Sequence, residues 1–217
     1  MTRKEYLAEP ARLRGHATVL AIEPGPPAVV RLDRTIFHAQ GGGQKADRGH
    51  IGPARVVHVS HNGDSVDHSV EDAAGLVVGA EVPLQVDAVE RQRNAAMHSA
   101  GHLLAGVVEH LYPALKAVAG HQWPGEGRVE FTGELGAQDI SVDAINARLA
   151  ADIASALPVA IVGDPLTSRA IRIGDYAAIA CGGTHVDRLD EIASATVRSV
   201  KAKGGKVRLG YEAAPRD

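Results

Sequence analysis

Met97-His98-Ser99-Ala100-Gly101-His102-Leu103-Leu104 is the stretch from which the rest of this chain is read. Its apolar residues recur at helical spacing, and an α-helix turns once in about 3.6 residues, so His98 and His102 lie one above the other on a single face. Two imidazoles placed this way can reach one metal ion from a rigid rod. Downstream, Cys181-Gly182-Gly183-Thr184-His185 offers a thiol and a third imidazole around a flexible glycine pair. The two segments together supply donors suited to a tetrahedral zinc site, so Zn2+ is the expected cofactor and His98, His102, Cys181 and His185 the expected ligands. Each segment alone has a blander reading. Two histidines on a helix are most often plain polar residues, and a lone cysteine is most often an inert buried thiol. Ser99 stands where a zincin protease carries its glutamate base, so that chemistry is not expected.

The helical pattern extends outward from this stretch. Arg91 and Arg93 open it, Leu103, Leu104, Val107, Val108 and Leu111 continue its apolar face, and Tyr112-Pro113 closes it, because the residue before proline avoids helical angles. Upstream, from about Gly15 to Asp87, the apolar runs are short and β-branched. Ala17–Ile22, Val29–Leu32 and Ala54–Val59 read as strands, Asn62-Gly63 as a hairpin turn, and Glu71-Asp72 as loop. Downstream, a loop containing Gly120-His121-Gln122-Trp123-Pro124-Gly125 is expected, then a strand over Gly127–Leu135. A helix capped by Ser141 and running to about Leu157 follows, then a strand over Pro158–Val162. The runs Ile192–Val200 and Lys206–Tyr211 form a hairpin turning at Gly204-Gly205. The expected class is α+β, with a small β domain over residues 1–88 and a two-layer α+β domain over 89–217.

Composition narrows the function classes. At 217 residues with 45% hydrophobic residues, the chain can bury a core, and with only 3% aromatics that core must be aliphatic. No apolar run approaches membrane-spanning length, the start Met1-Thr2-Arg3-Lys4-Glu5-Tyr6 lacks a secretory signal's apolar stretch, and one cysteine excludes an internal disulfide. A cytoplasmic protein with no membrane partner is expected. A net charge of -3 does not advertise a nucleic-acid binder, so any RNA must be held by a local basic patch.

Thr35-Ile36-Phe37-His38-Ala39-Gln40-Gly41-Gly42-Gly43-Gln44-Lys45-Ala46-Asp47-Arg48-Gly49 is the other unusual stretch. Three consecutive glycines let a backbone press close to a ligand or to another segment. It is neither a P-loop nor a dinucleotide fingerprint.

The histidine pair, the Cys-Gly-Gly-Thr-His segment and this glycine loop, in that combination, resemble the alanyl-tRNA synthetase editing domain and its free-standing relatives, the AlaX trans-editing proteins of medium length. The threonyl-tRNA synthetase editing domain belongs to the same superfamily. The likeness covers residues 15 to 212 and implies an N-terminal small β-barrel followed by an editing domain. It also implies hydrolysis of mischarged tRNA(Ala), charged with serine and also with glycine. His38 stands where family members often have an aromatic and Lys45 where they often have proline, so the loop's local shape is expected to differ.

An aminoacyl ester is intrinsically labile, so positioning and charge stabilisation matter more than a strong nucleophile. Zinc activates water only if a coordination position stays open; four protein ligands would make it an organiser of the pocket instead, and the sequence leaves both open. By resemblance Thr35 is the partner of the serine hydroxyl, Gln44 acts beside it as the second catalytic candidate, and Gly41, Gly42, Gly43 and Asp47 form the substrate loop. For tRNA the candidates are Lys201, Lys203, Lys206 and Arg208, with Arg91 and Arg93 as weaker ones; a solvated hairpin whose lysines protect a strand edge is the alternative. No activating module accompanies this domain in 217 residues, so tRNA charging is not expected. Two other classes share the same residues: a non-catalytic RNA-binding module stapled by zinc, and a metal-dependent hydrolase of small esters or amides. Monomer and homodimer are both open.

Overall fold

The computed structural model describes residues 1–216. It is a mixed α+β chain, mostly strand, with two α-helices among the described residues. None of its helices is long and apolar enough to cross a membrane. By its internal contacts the chain divides into two compact units. The first comprises Met1–Gly41, Lys45–Arg91 and Gly182–Thr184; the second comprises Gly42–Gln44, Gln92–Cys181 and the chain from His185 onward.

In the first unit, β1 (Arg3–Lys4) is followed by β2 (Arg14–Glu23), β3 (Ala28–Leu32), β4 (Arg34–Thr35), β5 (Gly49–Ile51), β6 (Ala54–Asn62), β7 (Ser65–Val70) and β8 (Glu81–Val86). Six of these pair in a ring, β2-β3-β7-β6-β5-β8, which closes back on β2. Closure leaves no free edge, and alternation along each strand sends Val19, Val30, Leu32, Ile51, Val56, Val59, Val66, Val70 and Leu84 inward to a shared core with Ile36 and Phe37. The β6–β7 hairpin turns at Gly63, whose φ of +54° suits glycine, with Asn62 paired to Ser65. β1 runs parallel to β4, which carries Thr35.

α1 (Ala88–Leu111) begins after Asp87, whose carboxylate accepts the Glu90 backbone N–H at 3.1 Å. In the second unit it is followed by β9 (Lys116–His121), β10 (Arg128–Thr132), α2 (Val142–Ala154), β11 (Val159–Val162), β12 (Ala170–Ile173), β13 (Ile179–Ala180), β14 (Ile192–Lys203) and β15 (Lys206–Pro215). One four-stranded sheet has the order β14-β15-β10-β9, and a smaller one β11-β12-β13. Met97, Leu103, Leu104, Val107 and Val108 of α1 and Ile145, Leu149 and Ile153 of α2 share a single apolar cluster with Val129, Phe131, Val207, Leu209 and Tyr211 from the larger sheet. Each such fully buried side chain contributes about 1.5–3 kcal/mol, which holds α1 against the sheet.

Three local expectations change. Gly120-His121 is not loop but the end of β9, a segment of weak strand formers recruited by pairing with β10, where His121 faces Arg128. The β10 strand ends at Thr132, because Gly133 has a φ of +148°. Helix α2 is capped by Ser141, which accepts the Ala144 N–H, but stops at Ala154, since Ala156 turns to a φ of +50° ahead of Pro158.

Candidate metal centre

Helix α1 presents His98 and His102 one turn apart, with ring centroids 5.1 Å from each other. Cys181 follows directly on β13, and His185 lies four residues further on, its ring 4.6 Å from that of His98 and 4.7 Å from that of His102. One ligand atom from each of the four falls within 4.8 Å of the others. Cys181 Sγ sits 3.4 Å from His98 Nε2 and 3.3 Å from His185 Nε2, between the two imidazoles. The three histidines and the cysteine called from the sequence are thus brought together, and this group can hold a metal ion.

The surrounding hydrogen bonds turn the ring nitrogens toward the cluster. His98 Nδ1 lies 2.6 Å from Gln44 Oε1; an amide oxygen only accepts, so Nδ1 carries the proton and Nε2 keeps its lone pair. His185 Nδ1 meets Ser99 Oγ at 3.1 Å, and the same oxygen accepts the Val186 N–H at 3.1 Å, which holds the ring with Nε2 turned toward Cys181 Sγ, 3.3 Å away. His102 is held neutral: burial, then the positive charge of Arg169, pushes its pKa down to about 4. Its Nδ1 is buried without a hydrogen-bond partner, an expensive arrangement in an apolar interior. Two oriented Nε2 atoms, a third neutral imidazole and a thiol fit a metal ion.

Two contributors were missed by the sequence reading. Ser99 had been weighed only as the absence of a protease base, yet it orients His185. Arg169, nearly buried, donates through Nη1 to the Cys181 carbonyl oxygen at 2.5 Å, and Cys181 N–H donates to the Arg169 carbonyl at 3.3 Å. No spacing rule links residue 169 to either motif; the β12–β13 pairing does.

The glycine loop reaches the same group. Gly42 and Gly43 have φ of +56° and +80°, and a Cβ on Gly43 would lie 2.4 Å from the Gly120 carbonyl oxygen, so only glycine permits the approach. Gly43 in turn accepts the Gln122 backbone N–H at 2.9 Å. This places Gln44 on His98 as a ligand-orienting residue.

The remaining site candidates lie in the first unit or on the hairpin. Thr35 is fully buried; its hydroxyl pairs with His68 Nε2 at 2.8 Å and accepts the Phe37 N–H at 3.1 Å. Gly41 belongs to the first unit, unlike Gly42 and Gly43. Asp47 is fully buried, accepts the His38 N–H at 2.6 Å and forms an ion pair with Arg91. The Arg91 guanidinium also donates to the carbonyls of Pro10 and Ile36, which removes Arg91 from the RNA candidates: it is buried, and its donors are consumed inside the fold. His38 donates from Nδ1 to the Lys45 carbonyl at 3.1 Å and packs edge-on against Tyr6. Lys201, Lys203, Lys206 and Arg208 are exposed on the β14–β15 hairpin.

No protein-family model matches the chain. It is 31% identical over 202 residues to the alanine–tRNA ligase of Bdellovibrio bacteriovorus, a match covering 82% of this chain and 22% of the ligase. The alanine–tRNA ligase of a Caulobacter species is 32% identical over 88% of this chain and 25% of its own length, and that of Halorhodospira halophila 30% identical over 89% and 26%. The chain therefore spans about a quarter of the curated relatives it matches. It is an AlaX-type relative of one segment of the alanyl-tRNA synthetases.

Proposed function

We propose that this chain hydrolyses mischarged tRNA(Ala), chiefly Ser-tRNA(Ala) and also Gly-tRNA(Ala), releasing free amino acid and tRNA, and that it does so in trans, on tRNA charged by another protein. One observation carries the reading: in a chain matched to alanine–tRNA ligases, three imidazoles and a thiol from two distant segments converge within 4.8 Å, with the glycine loop's Gln44 hydrogen-bonded to one of them. His98, His102, Cys181 and His185 would hold the ion, taken to be Zn2+; with all four bound it would organise the pocket and place positive charge near the ester rather than activate a water.

The protein's own groups do the rest. Gln44 fixes the tautomer of His98 and Ser99 holds the His185 ring in place, so the donor set is positioned before a substrate arrives. Gly42, with nothing within 4 Å of where a Cβ would stand, gives an aminoacyl group bare backbone to lie against, while Gly43 packs on Gly120 and holds the loop in place. Gly41 and Asp47 shape the same loop, Asp47 by tying it to Arg91. Thr35 is assigned to the serine hydroxyl. Its own hydroxyl proton is directed at His68, which leaves an oxygen lone pair to accept from a substrate hydroxyl. A site that hydrogen-bonds a hydroxyl discriminates strongly against the analogue lacking it, which is what sparing Ala-tRNA(Ala) requires. The cytoplasm, where tRNA is charged, is the proposed compartment.

The test is to incubate purified protein with Ser-tRNA(Ala), Ala-tRNA(Ala) and a free seryl ester. Turnover of the first alone, with Thr35→Val cutting it far more than it cuts metal content, is the expected result. Turnover of the free ester as fast as the tRNA, or of nothing at all, removes the proposal.

A further inference from the structure

The larger sheet of the second unit buries one face against the helices and leaves the other open, and the open face carries the chain's charge asymmetry. β14 and β15 pair so that Lys201 stands opposite Arg208 and Lys203 opposite Lys206. Like charges directly across an antiparallel pair oppose strand pairing. Arg198 of β14 and Arg128 of β10 extend the row, giving six cations against Glu126, Glu130 and Glu212 in a protein of net charge -3, with Glu126 Oε2 lying 3.4 Å from His121 Nε2. Glu212 pairs with Arg198, and Glu130 lies 3.9 Å from Arg128 and 3.8 Å from Arg208. Among the described residues Lys201, Lys203 and Lys206 have no carboxylate within ion-pair distance.

Edge protection accounts for only part of this. β14 is an edge strand, so lysines there discourage pairing with another chain. β15 and β10 are interior strands with no edge to protect, yet they contribute Lys206, Arg208 and Arg128. Over β14, β15 and the start of β10 lies a cleft of about 400 Å³ lined by Arg128, Arg198, Lys201 and Arg208, with Gly210 leaving its floor bare. At its far end His121, opposite Arg128, stacks on Trp123 with ring centroids 4.9 Å apart and planes 33° from parallel. Gln122, between those two rings, faces the other way. Its N–H is bonded to Gly43, next to Gln44, and its amide packs on Gly101, next to His102. The cationic row thus ends at the residues that touch the metal centre's own supports.

We propose that this open sheet face is the track that holds the unpaired 3′ strand of an aminoacylated RNA, its phosphates on the cation pairs and one base stacked on the Trp123–His121 rings. The proposal rests on the reading that the substrate is an RNA ester, and it adds where the strand runs. Rows of basic side chains ending in an aromatic platform are how single strands are bound without sequence preference.

Trp123 is the only tryptophan, so its fluorescence reports this surface directly. The full chain is titrated at low salt with an uncharged single-stranded RNA, an RNA duplex and inorganic polyphosphate. The single strand is expected to quench Trp123, with the duplex and polyphosphate leaving it largely unchanged. The double variant Lys201→Glu, Arg208→Glu should bind the single strand at least tenfold more weakly. Its salt slope should be shallower by about 1.4, two contacts at ~0.7 each. In filter binding, Trp123→Leu should also weaken the single strand tenfold or more, with circular dichroism and metal content unchanged in both variants. Absence of quenching, equal quenching by polyphosphate, or affinities within twofold of wild type in both variants overturns the track. Ser-tRNA(Ala) hydrolysis by the same preparation separates the two readings. Hydrolysis without quenching sinks the track alone, and quenching without hydrolysis sinks the deacylase reading alone.

Discussion

Acidification should unfold the first unit through two histidines that the fold keeps neutral. His68 is fully buried, donates from Nδ1 to the Val30 carbonyl at 3.0 Å and accepts the Thr35 hydroxyl at Nε2. Burial lowers its pKa from 6.5 to about 4, against the opposing pull of the Val30 carbonyl and Asp67. His38 is pushed from 6.5 to about 4 by burial as well, with Asp47 opposing. In each case the folded state binds its proton less readily than the unfolded chain. The stabilisation is therefore complete above the unfolded value near 6.5 and is lost as pH falls toward 4. From about pH 7.5 to about pH 5 each histidine should cost roughly 2 kcal/mol, so roughly 4 kcal/mol together, rising to about 3 kcal/mol apiece well below pH 4. Urea unfolding followed by far-ultraviolet circular dichroism at both pH values, with a histidine proton titration by NMR, reads this directly. A midpoint unchanged between the two, or an imidazole of His68 that titrates near its ordinary value, would refute the assignment of His68 as the buried acceptor of the Thr35 hydroxyl.

Removing the carboxylate charge in Asp47→Asn leaves the Arg91 guanidinium buried without its counter-ion, and should destabilise the chain by about 3 kcal/mol or more in the same unfolding assay. Gln44→Met keeps the volume but removes the acceptor on His98 Nδ1; metal affinity in a chelator competition should fall by about 10–100-fold. Gly43→Ala adds a Cβ at 2.4 Å from the Gly120 carbonyl oxygen and cannot keep a φ of +80° cheaply, so hydrolysis should be lost while the circular dichroism spectrum is retained.

How much of this was legible beforehand depends on how local each signal is. The α1 stripe, the Ser141 cap and the hairpin at Gly204-Gly205 are carried by neighbours in sequence, and each was readable. So were the four candidate ligands, because the helix and the Cys-Gly-Gly-Thr-His loop each have a spacing of their own. β9 was not, because Lys116–His121 is a strand by virtue of its partner rather than its composition. The role of Gln44 was half visible: the glycine loop marked it, but its bond to His98 spans 54 positions. Ser99 and Arg169 act through contacts 86 and 12 residues away in sequence, to His185 and Cys181, and no motif announces them. Arg91 misled because a charge at a helix start looks exposed until the fold buries it against Asp47.

The proposed deacylase requires one ion held jointly by His98, His102, Cys181 and His185. X-ray absorption at the metal edge of zinc-loaded protein measures that set directly. The expected shell is one sulfur at about 2.3 Å with nitrogens at about 2.0–2.1 Å, the sulfur disappearing in Cys181→Ser. A shell of oxygen atoms only, or a sulfur contribution that survives that substitution, would contradict it.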